Sequence, residues 1–411
     1  MNLKIEYYPK LPDSLLSNYL SIIKSNKKNW DDPFFSNTKS HIDFDLINEK
    51  LSSIDLNQIK NVIILGTGGS IQTFLALSHL SHKKIYPITS SRSFELINCL
   101  ELTKPSDSIV IPISRGGETL DVNSTIEIFA KKGYPFIGLS SKGTMLSILE
   151  DMKAPILDVP DLSGRFAASI SNVGIVPALI SGINVDMVIK GLDQGYSLFM
   201  TESINPAIEF AAFLYSLYEK GISNLFSMPY TKSIEGAVGL FVQEISESTG
   251  KNNKGLMGTY QSAPLCQHSV LEFLLGGKSN KVTPILWIME KVKSDIILDS
   301  NIDYINGKSA HTIINYQAVA TFQALIEQGL PSAMISLKED DELNLGNLIA
   351  FIQATVYHLC LLLNVNWSDN PKVVIGKKIC NEALLNQKQF DDLQSEREKI
   401  ARNRFTGYYS Q

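Results

Sequence analysis

Residues 61–70 read NVIILGTGGS, a short apolar run followed at once by a glycine-rich turn. Asn61–Leu65 is typical of a buried strand, and the residues after the turn have helical spacing. Glycines at a strand–helix junction let the backbone approach a ligand, and the free N–H groups of the helix N-terminus attract an anion. The turn therefore predicts a phosphate site that includes Gly68, Gly69 and Ser70.

Two familiar nucleotide-binding patterns do not fit this turn. Counted from Gly66 and Gly68, the third glycine of a dinucleotide-binding GxGxxG motif would fall on Ile71. No Gly-Lys-Ser/Thr follows, as a P-loop would require. A strand–helix turn also uses glycine for its geometry alone, so the motif needs a second feature to indicate a ligand site.

That second feature is another hydroxyl- and glycine-rich turn, SRGGET at residues 114–119, directly after the strand-like run Ser108–Ile113. Loops at the carboxyl ends of neighbouring parallel strands open on one crevice, so we expect both loops to bind the same anion. A carboxylate at Glu118 would repel that anion, and we expect it to lie at a helix start instead. The candidate donors in this loop are Ser114, Arg115, Gly116 and Thr119.

Strand-like runs alternate with helical stretches along most of the chain, which predicts an α/β fold with doubly wound parallel sheets. We expect two lobes and a tail. The first lobe spans residues 1–200 and begins with a polar, helical segment. The second spans residues 201–368, and a helical segment, residues 369–411, packs across both.

The composition excludes several functional classes. The 411 residues carry a net charge of −5, which disfavours nucleic acids and anionic membranes as partners. The four cysteines are scattered without a CxxC pair, so a zinc knuckle or a disulfide framework is not expected. Cys266 and His268 lack a second ligand pair nearby. The N-terminus lacks a secretory apolar core and Leu359–Val365 is too short to span a bilayer, which favours a reduced cytosol.

The order of short motifs carries a family resemblance. GTGGS, ISRGGET, SGRF, ESTGK, QHS and PKVVIGKK follow one another along nearly the whole chain. This order resembles the sugar isomerase domain family and, within it, the compact bacterial glucose-6-phosphate isomerases. The resemblance implies two sugar isomerase lobes, a homodimer, and an aldose–ketose isomerisation through a cis-enediolate that needs no metal or organic cofactor.

The resemblance also assigns roles to four residues. It implies that Glu247 of ESTGK moves a proton between C1 and C2, and that Arg165 of SGRF stabilises the enediolate. It implies that His268 of QHS opens the sugar ring, often in the neighbouring subunit's site, and that Lys377 of VIGKK assists. By residue type alone, these would be a solvated helix end, an ion-pairing arginine, a structural histidine and a soluble helix face.

Some positions depart from the family pattern. Ser163 and Ala167 flank Arg165 where the family has glycine and serine, and the second loop has Gly116 and Glu118 where the isomerases carry hydroxyl residues. Each hydrogen bond lost to a charged group costs about 1.5–3 kcal/mol. Two alternatives therefore remain at this point: an isomerase for another phosphosugar such as mannose 6-phosphate, and a non-catalytic sugar-phosphate sensor.

Overall fold

A computed structural model describes residues 2–30, 42–159, 171–277 and 281–408 of the chain. Its strands are β1 (Leu3–Tyr8), β2 (Asn61–Leu65), β3 (Lys84–Ile88), β4 (Ser108–Pro112), β5 (Gly138–Leu139), β6 (Ile156–Leu157), β7 (Asn224–Pro229), β8 (Met257–Tyr260), β9 (Val282–Met289) and β10 (Ser332–Leu337).

The helices alternate with these strands. They are α1 (Asp13–Lys27), α2 (Phe44–Leu51), α3 (Gly69–Leu77), α4 (Ser93–Leu102), α5 (Leu120–Ala130), α6 (Gly143–Asp151), α7 (Asn172–Ile180), α8 (Val185–Phe199), α9 (Pro206–Glu219), α10 (Glu235–Thr249), α11 (Gln267–Gly276), α12 (Ala310–Glu327), α13 (Glu342–Leu363), α14 (Val374–Leu385) and α15 (Phe390–Tyr408).

The first sheet contains β3, β2 and β4 in that order, all parallel. Single parallel bridges from Val110 to Phe136 and from Ile113 to Leu139 extend it to the short pair β5–β6. Chain order therefore reverses beside β2, with β3 on one side and β4 on the other. Such a reversal leaves a crevice outside the carboxyl ends of the two flanking strands, here β2 and β4. Every residue of both strands is buried.

The second sheet has the order β8-β7-β9-β10-β1, and its strands from β7 to β10 run parallel. The α/β class with parallel sheets is confirmed. The edge strand β1 pairs antiparallel with β10, from Leu3 opposite Leu337 to Tyr8 opposite Ser332. We expected only helical structure near the N-terminus. The six-residue strand alternates two buried side chains with charged ones, a pattern too short to stand out from a polar segment.

The long helix α13 is the central helix of the core. Among the described residues it is the one helix long and apolar enough to cross a membrane, and it is almost entirely buried inside the protein. It packs against α8 so closely that a Cβ at Gly191 would lie 2.1 Å from the Leu343 carbonyl oxygen, and one at Gly346 2.3 Å from that of Val188. Its length of 22 residues comes from burial against several helices at once.

The chain divides into two compact units, Met1–Ser368 and Asp369–Gln411. The second unit holds α14 and α15, and an ion pair of 2.7 Å joins Lys388 Nζ, in the linker between them, to Glu396 Oε1 of α15. The boundary between two lobes at residues 200 and 201, and the packing of the tail across them, remain predictions.

A buried histidine in α13 makes stability depend on pH. His358 is 3% exposed, and its Nε2 lies 2.8 Å from the Phe199 carbonyl oxygen, to which the neutral ring donates. Burial lowers the pKa of His358 from 6.5 to about 4; the bond to Phe199 opposes this shift, and the Lys27 charge adds a smaller lowering. The unfolded chain therefore takes up a proton at a pH where the folded chain does not, and stability present above pH 6.5 is lost as the pH falls towards 4.

We predict that His358→Gln weakens the fall of the unfolding free energy at acid pH. Between pH 7 and pH 4 the wild-type protein loses up to about 3 kcal/mol of unfolding free energy through this one group. The variant lacks that loss, because glutamine does not titrate. Urea unfolding at a series of pH values measures the difference, and His82→Gln, at an exposed histidine, serves as the control. Parallel pH profiles for wild type and His358→Gln would contradict the assignment.

Candidate functional site

The first predicted loop begins at the carboxyl end of β2 and runs into α3. Gly68 is the residue before the helix, with φ +58° and ψ −142°, a conformation that favours glycine. Residues from Thr67 to Ser70 are half-buried, so the helix N-terminus remains reachable from outside. The first N–H groups of a helix have no intrahelical partner, and groups of this kind can bind an anion.

The second loop starts directly beside the first. The Ile113 N–H donates to the Leu65 carbonyl at 2.8 Å, which places Gly66 and Ser114 at adjacent strand ends. Ser114 Oγ lies 2.9 Å from Thr119 Oγ1, so the two hydroxyls of the loop converge. The structure thus brings together the two loops that the sequence predicts, and we call residues 66–70 and 114–119 together the anion cradle.

Neighbouring backbone fixes the shape of the second loop. The Gly117 carbonyl accepts from the Met145 N–H at 3.0 Å and from Asn123 Nδ2 at 2.9 Å. A Cβ at Gly117 would lie 1.9 Å from the Lys142 carbonyl oxygen, and φ there is +70°, so the position requires glycine. At Gly116 a Cβ would meet nothing within 4 Å. The missing side chain at Gly116 therefore leaves open space beside the loop.

The carboxylate of Glu118 is hydrogen-bonded to the start of the neighbouring helix α6. It accepts a hydrogen bond of 2.8 Å from the Thr144 N–H and bonds of 2.9 and 3.0 Å from the Thr144 hydroxyl, in the first turn of α6. A carboxylate at a helix N-terminus is stabilised by the partial positive charge there. The expected helix-start role fits, although the helix is α6 and not the α5 that follows the loop.

Helix α10 packs along α3 with glycines at the contact. A Cβ at Gly236 would lie 2.0 Å from the Leu75 carbonyl oxygen, and one at Gly239 would lie 3.1 Å from Gln72 Oε1. One further turn along, Gln243 Nε2 lies 3.9 Å from the position of a Cβ on Gly68. The contacts therefore move towards the start of α3 as α10 proceeds towards its end.

The predicted base Glu247 is the next residue in this register. It lies one turn beyond Gln243, and the Gln243 side-chain amide donates a hydrogen bond to its carboxylate. Since the Gln243 amide lies 3.9 Å from the position of a Cβ on Gly68 and bonds this carboxylate, Glu247 lies near the start of α3. Glu247 is half-buried, whereas the neighbouring Glu244 is fully buried and faces the core.

Two lysines hold the turn that follows Glu247. Lys251 Nζ donates to the Asn366 carbonyl, and Lys254 Nζ donates to the Leu363 carbonyl at 2.8 Å. Leu363 is the last residue of α13, where helix carbonyls have no intrahelical partner, and Asn366 lies in the segment directly after it. The end of α10 is therefore anchored to the core.

The structure places His268 away from Glu247. It is exposed in the first turn of α11, and the preceding loop is tied to the first turn of α10 by a hydrogen bond from Ser262 Oγ to Glu235. Glu247 lies in the last turn of the same helix, twelve residues on, which is about 18 Å at 1.5 Å per residue. The two predicted catalytic side chains are thus near opposite ends of α10.

Two other predicted residues have no described position at the cradle. Arg165 lies outside the described residues. Lys377 lies on α14 in the second unit, where its side chain is exposed. Across the described parts of the chain, no group of three His, Cys, Asp or Glu side chains is arranged to hold a metal ion.

Our reading of the sequence missed Gln243 and the contact between α3 and α10. The signal was present, because Gly236, Gly239 and Gln243 recur at helical spacing and share one face with Glu247. Small residues on one face of a helix indicate close approach of another backbone. The partner helix could not be identified, because α3 precedes α10 by more than 150 residues.

Comparison with known proteins agrees with the motif order. The chain is similar to the glucose-6-phosphate isomerase of Campylobacter jejuni, with 26% identity over 395 residues that cover 90% of this chain and 96% of the relative. It is similar to that of Methanocaldococcus jannaschii, with 26% identity over 341 residues, 79% of this chain and 84% of the relative. No family model matches the chain.

The fold is similar to the crystal structure of a glucose-6-phosphate isomerase from Chlamydia trachomatis. The TM-score is 0.78 with 16% sequence identity, and the match covers 97% of this chain and 91% of the other. The resemblance found in the sequence is therefore confirmed, and at this identity the structural match speaks for the fold alone.

The glycine contact between α3 and α10 predicts a contrast between two alanine variants. Gly236→Ala places a methyl group 2.0 Å from a backbone oxygen, which cannot move without shifting α3. We expect it to lower the unfolding free energy by about 1–3 kcal/mol. Gly239→Ala meets only the mobile amide of Gln72, and the gain in helix propensity, about 1 kcal/mol, offsets that contact.

Denaturant unfolding of the two variants measures the contrast, and each is the control for the other. Equal stabilities of the two alanine variants would show that α3 and α10 are not in backbone contact at Gly236.

Proposed function

We propose that this protein is an aldose–ketose isomerase that interconverts glucose 6-phosphate and fructose 6-phosphate. The observation that supports the proposal is that the Glu247 carboxylate is bonded to Gln243, which lies beside Gly68 in the first of two adjoining strand-end loops. A sugar phosphate has an anionic group for the cradle and carbons that a nearby carboxylate can deprotonate. The similarity to curated glucose-6-phosphate isomerases supports the same reaction.

The cradle binds the phosphate group in this proposal. Backbone N–H groups at the start of α3 and the convergent hydroxyls of Ser114 and Thr119 are suitable donors, and α3 adds the partial charge of its N-terminus. The Glu118 carboxylate accepts hydrogen bonds from Thr144 at the start of α6, where the partial positive charge of that helix N-terminus offsets part of its own charge. The residues assigned to this role are Gly68, Gly69, Ser70, Ser114, Arg115, Gly116 and Thr119.

Glu247 transfers the proton. From the open-chain aldose it removes the hydrogen on C2, and the electron pair forms the C1–C2 double bond of the enediolate. The C1 oxygen takes up the displaced carbonyl electron pair and then the proton of the C2 hydroxyl. Return of the carried proton from Glu247 to C1, with the C2 oxygen becoming the carbonyl, completes the ketose. The Gln243 amide holds the carboxylate in one orientation between the two carbons. Arg165, whose place is outside the described residues, is assigned to the developing negative charge on the enediolate oxygens.

His268 and Lys377 are assigned to ring opening. What supports a cross-subunit role for His268 is its exposure and its place near the far end of α10 from Glu247. A histidine so placed serves the site of a second copy, which makes the active protein a homodimer. We place this enzyme in the cytosol, since sugar phosphates are formed and consumed there.

The assignment of the base predicts a selective loss of turnover. Glu247→Gln keeps the shape and the hydrogen-bonding capacity of the side chain but cannot accept the proton. We expect kcat for fructose 6-phosphate to fall by about 10²–10⁴-fold. Binding, followed by calorimetry with the same sugar, should change by less than threefold, because the cradle is unaltered.

The matched control is Glu150→Gln, at an exposed glutamate on α6, which should leave kcat unchanged. A coupled assay of fructose 6-phosphate, run beside mannose 6-phosphate, measures both rate and substrate. Wild-type turnover in Glu247→Gln would remove the assignment of the base. Binding without turnover of either sugar by the wild-type protein would instead indicate a sensor.

A further inference from the structure

His268 lies in the first turn of α11. A hydrogen bond to a side chain on α12 fixes this turn. No side chain caps this helix: Cys266, the residue before it, makes no cap hydrogen bond. The neighbouring Gln267 is half-buried, and its Nε2 donates a hydrogen bond to Oγ1 of Thr321. This bond crosses from one helix to the next, directly beside the exposed histidine.

Thr321 can act only as an acceptor towards Gln267. Its own hydroxyl proton is committed to the Gln317 carbonyl, at 2.8 Å on the same helix. A threonine hydroxyl has one proton and two lone pairs, so the proton fixes which role remains. The amide of Gln267 is therefore oriented with its NH₂ group towards α12, and the side chain of Thr321 is 4% exposed, which shields the bond from water.

A buried apolar cluster lies beside this hydrogen bond. Cys266, Tyr230 and Phe322 belong to one buried apolar cluster between α11, α12 and the second sheet. Burial raises the pKa of Tyr230 to about 12, against a smaller lowering by its contact with Thr321, so the phenol stays neutral at any working pH. Close-packed neighbours leave few alternative positions for the start of α11 once the Gln267–Thr321 bond is made.

We propose that Thr321 is a positioning residue for ring opening: its hydrogen bond to Gln267 fixes the first turn of α11 and so sets the orientation of the His268 imidazole. The inference rests on the proposed function, in which His268 opens the sugar ring. Thr321 touches no substrate and acts through its neighbour. Proton transfer at Glu247, near the opposite end of α10, does not depend on it.

Ring opening can be measured apart from isomerisation. Opening and reclosing of glucose 6-phosphate exchanges its α and β anomers, and exchange NMR follows that rate at equilibrium. In this account Glu247→Gln still catalyses anomer exchange while failing to isomerise. Thr321→Val, which replaces the hydroxyl with a methyl group of similar size, should slow anomer exchange by about 10-fold and leave KM within twofold of the wild type.

Companion variants separate positioning from folding. Thr321→Ser restores the acceptor and should restore the rate. Gln267→Met removes the donor at a half-buried position and should give the same loss. The double variant should lose no more than either single variant, because both changes break the same Gln267–Thr321 bond. Thr312→Val, at the start of the same helix where Thr312 accepts from Ser309, is the control and should match the wild type.

Three results would overturn the inference, and a fourth would overturn the proposed function instead. The first is unchanged anomer exchange in Thr321→Val while the wild type isomerises. The second is an equal fall of exchange and isomerisation with a lowered melting temperature that Thr321→Ser fails to correct, which indicates a structural role. The third is additive loss in the double variant. A wild-type protein that isomerises no phosphosugar overturns the proposed function itself.

Discussion

The close approach of α10 to α3 is the constraint on which the site depends. Leu75 presents a backbone oxygen where any side chain at Gly236 would lie, and two turns later Gln243 lies against Gly68. Through these contacts α10, which follows the second sheet's strand β7, packs along α3. Glu247 thereby lies near the start of α3. Lys251 and Lys254 bond the turn after Glu247 to the end of α13 and the segment that follows it, and so stabilise the position of α10 along α3.

Both sheets reverse their strand order, but the cradle lies at the reversal in the first. There, β2 and β4 end in loops rich in glycine and hydroxyl groups, and the bond from Ile113 to Leu65 aligns them. In the second sheet the reversal lies between β7 and β9. The second half of the chain contributes instead α10, which carries the Glu247 carboxylate. The loops thus come from the first half and the carboxylate from the second.

Local patterns were readable from the sequence, and long-range contacts were not. The runs at Asn61–Leu65 and Ser108–Ile113 indicated strands because buried parallel strands are apolar throughout. Strand β1 escaped notice because its partner, β10, lies more than 300 residues away. Likewise the two loops could be predicted as one site from their positions at strand ends, whereas the bond of Glu118 to Thr144 and that of Gln243 to Glu247 depend on packing. The roles of Arg165, His268 and Lys377 stay predictions of the family resemblance.

The central claim, proton transfer by a carboxylate over a bound sugar phosphate, is tested most directly by isomerising fructose 6-phosphate in D₂O. A carboxyl group exchanges its proton with solvent between removal and return, so the account predicts glucose 6-phosphate with deuterium at C2 in a substantial fraction of molecules, read by proton NMR. Product in which the transferred hydrogen is wholly retained, or no product at all, would contradict it.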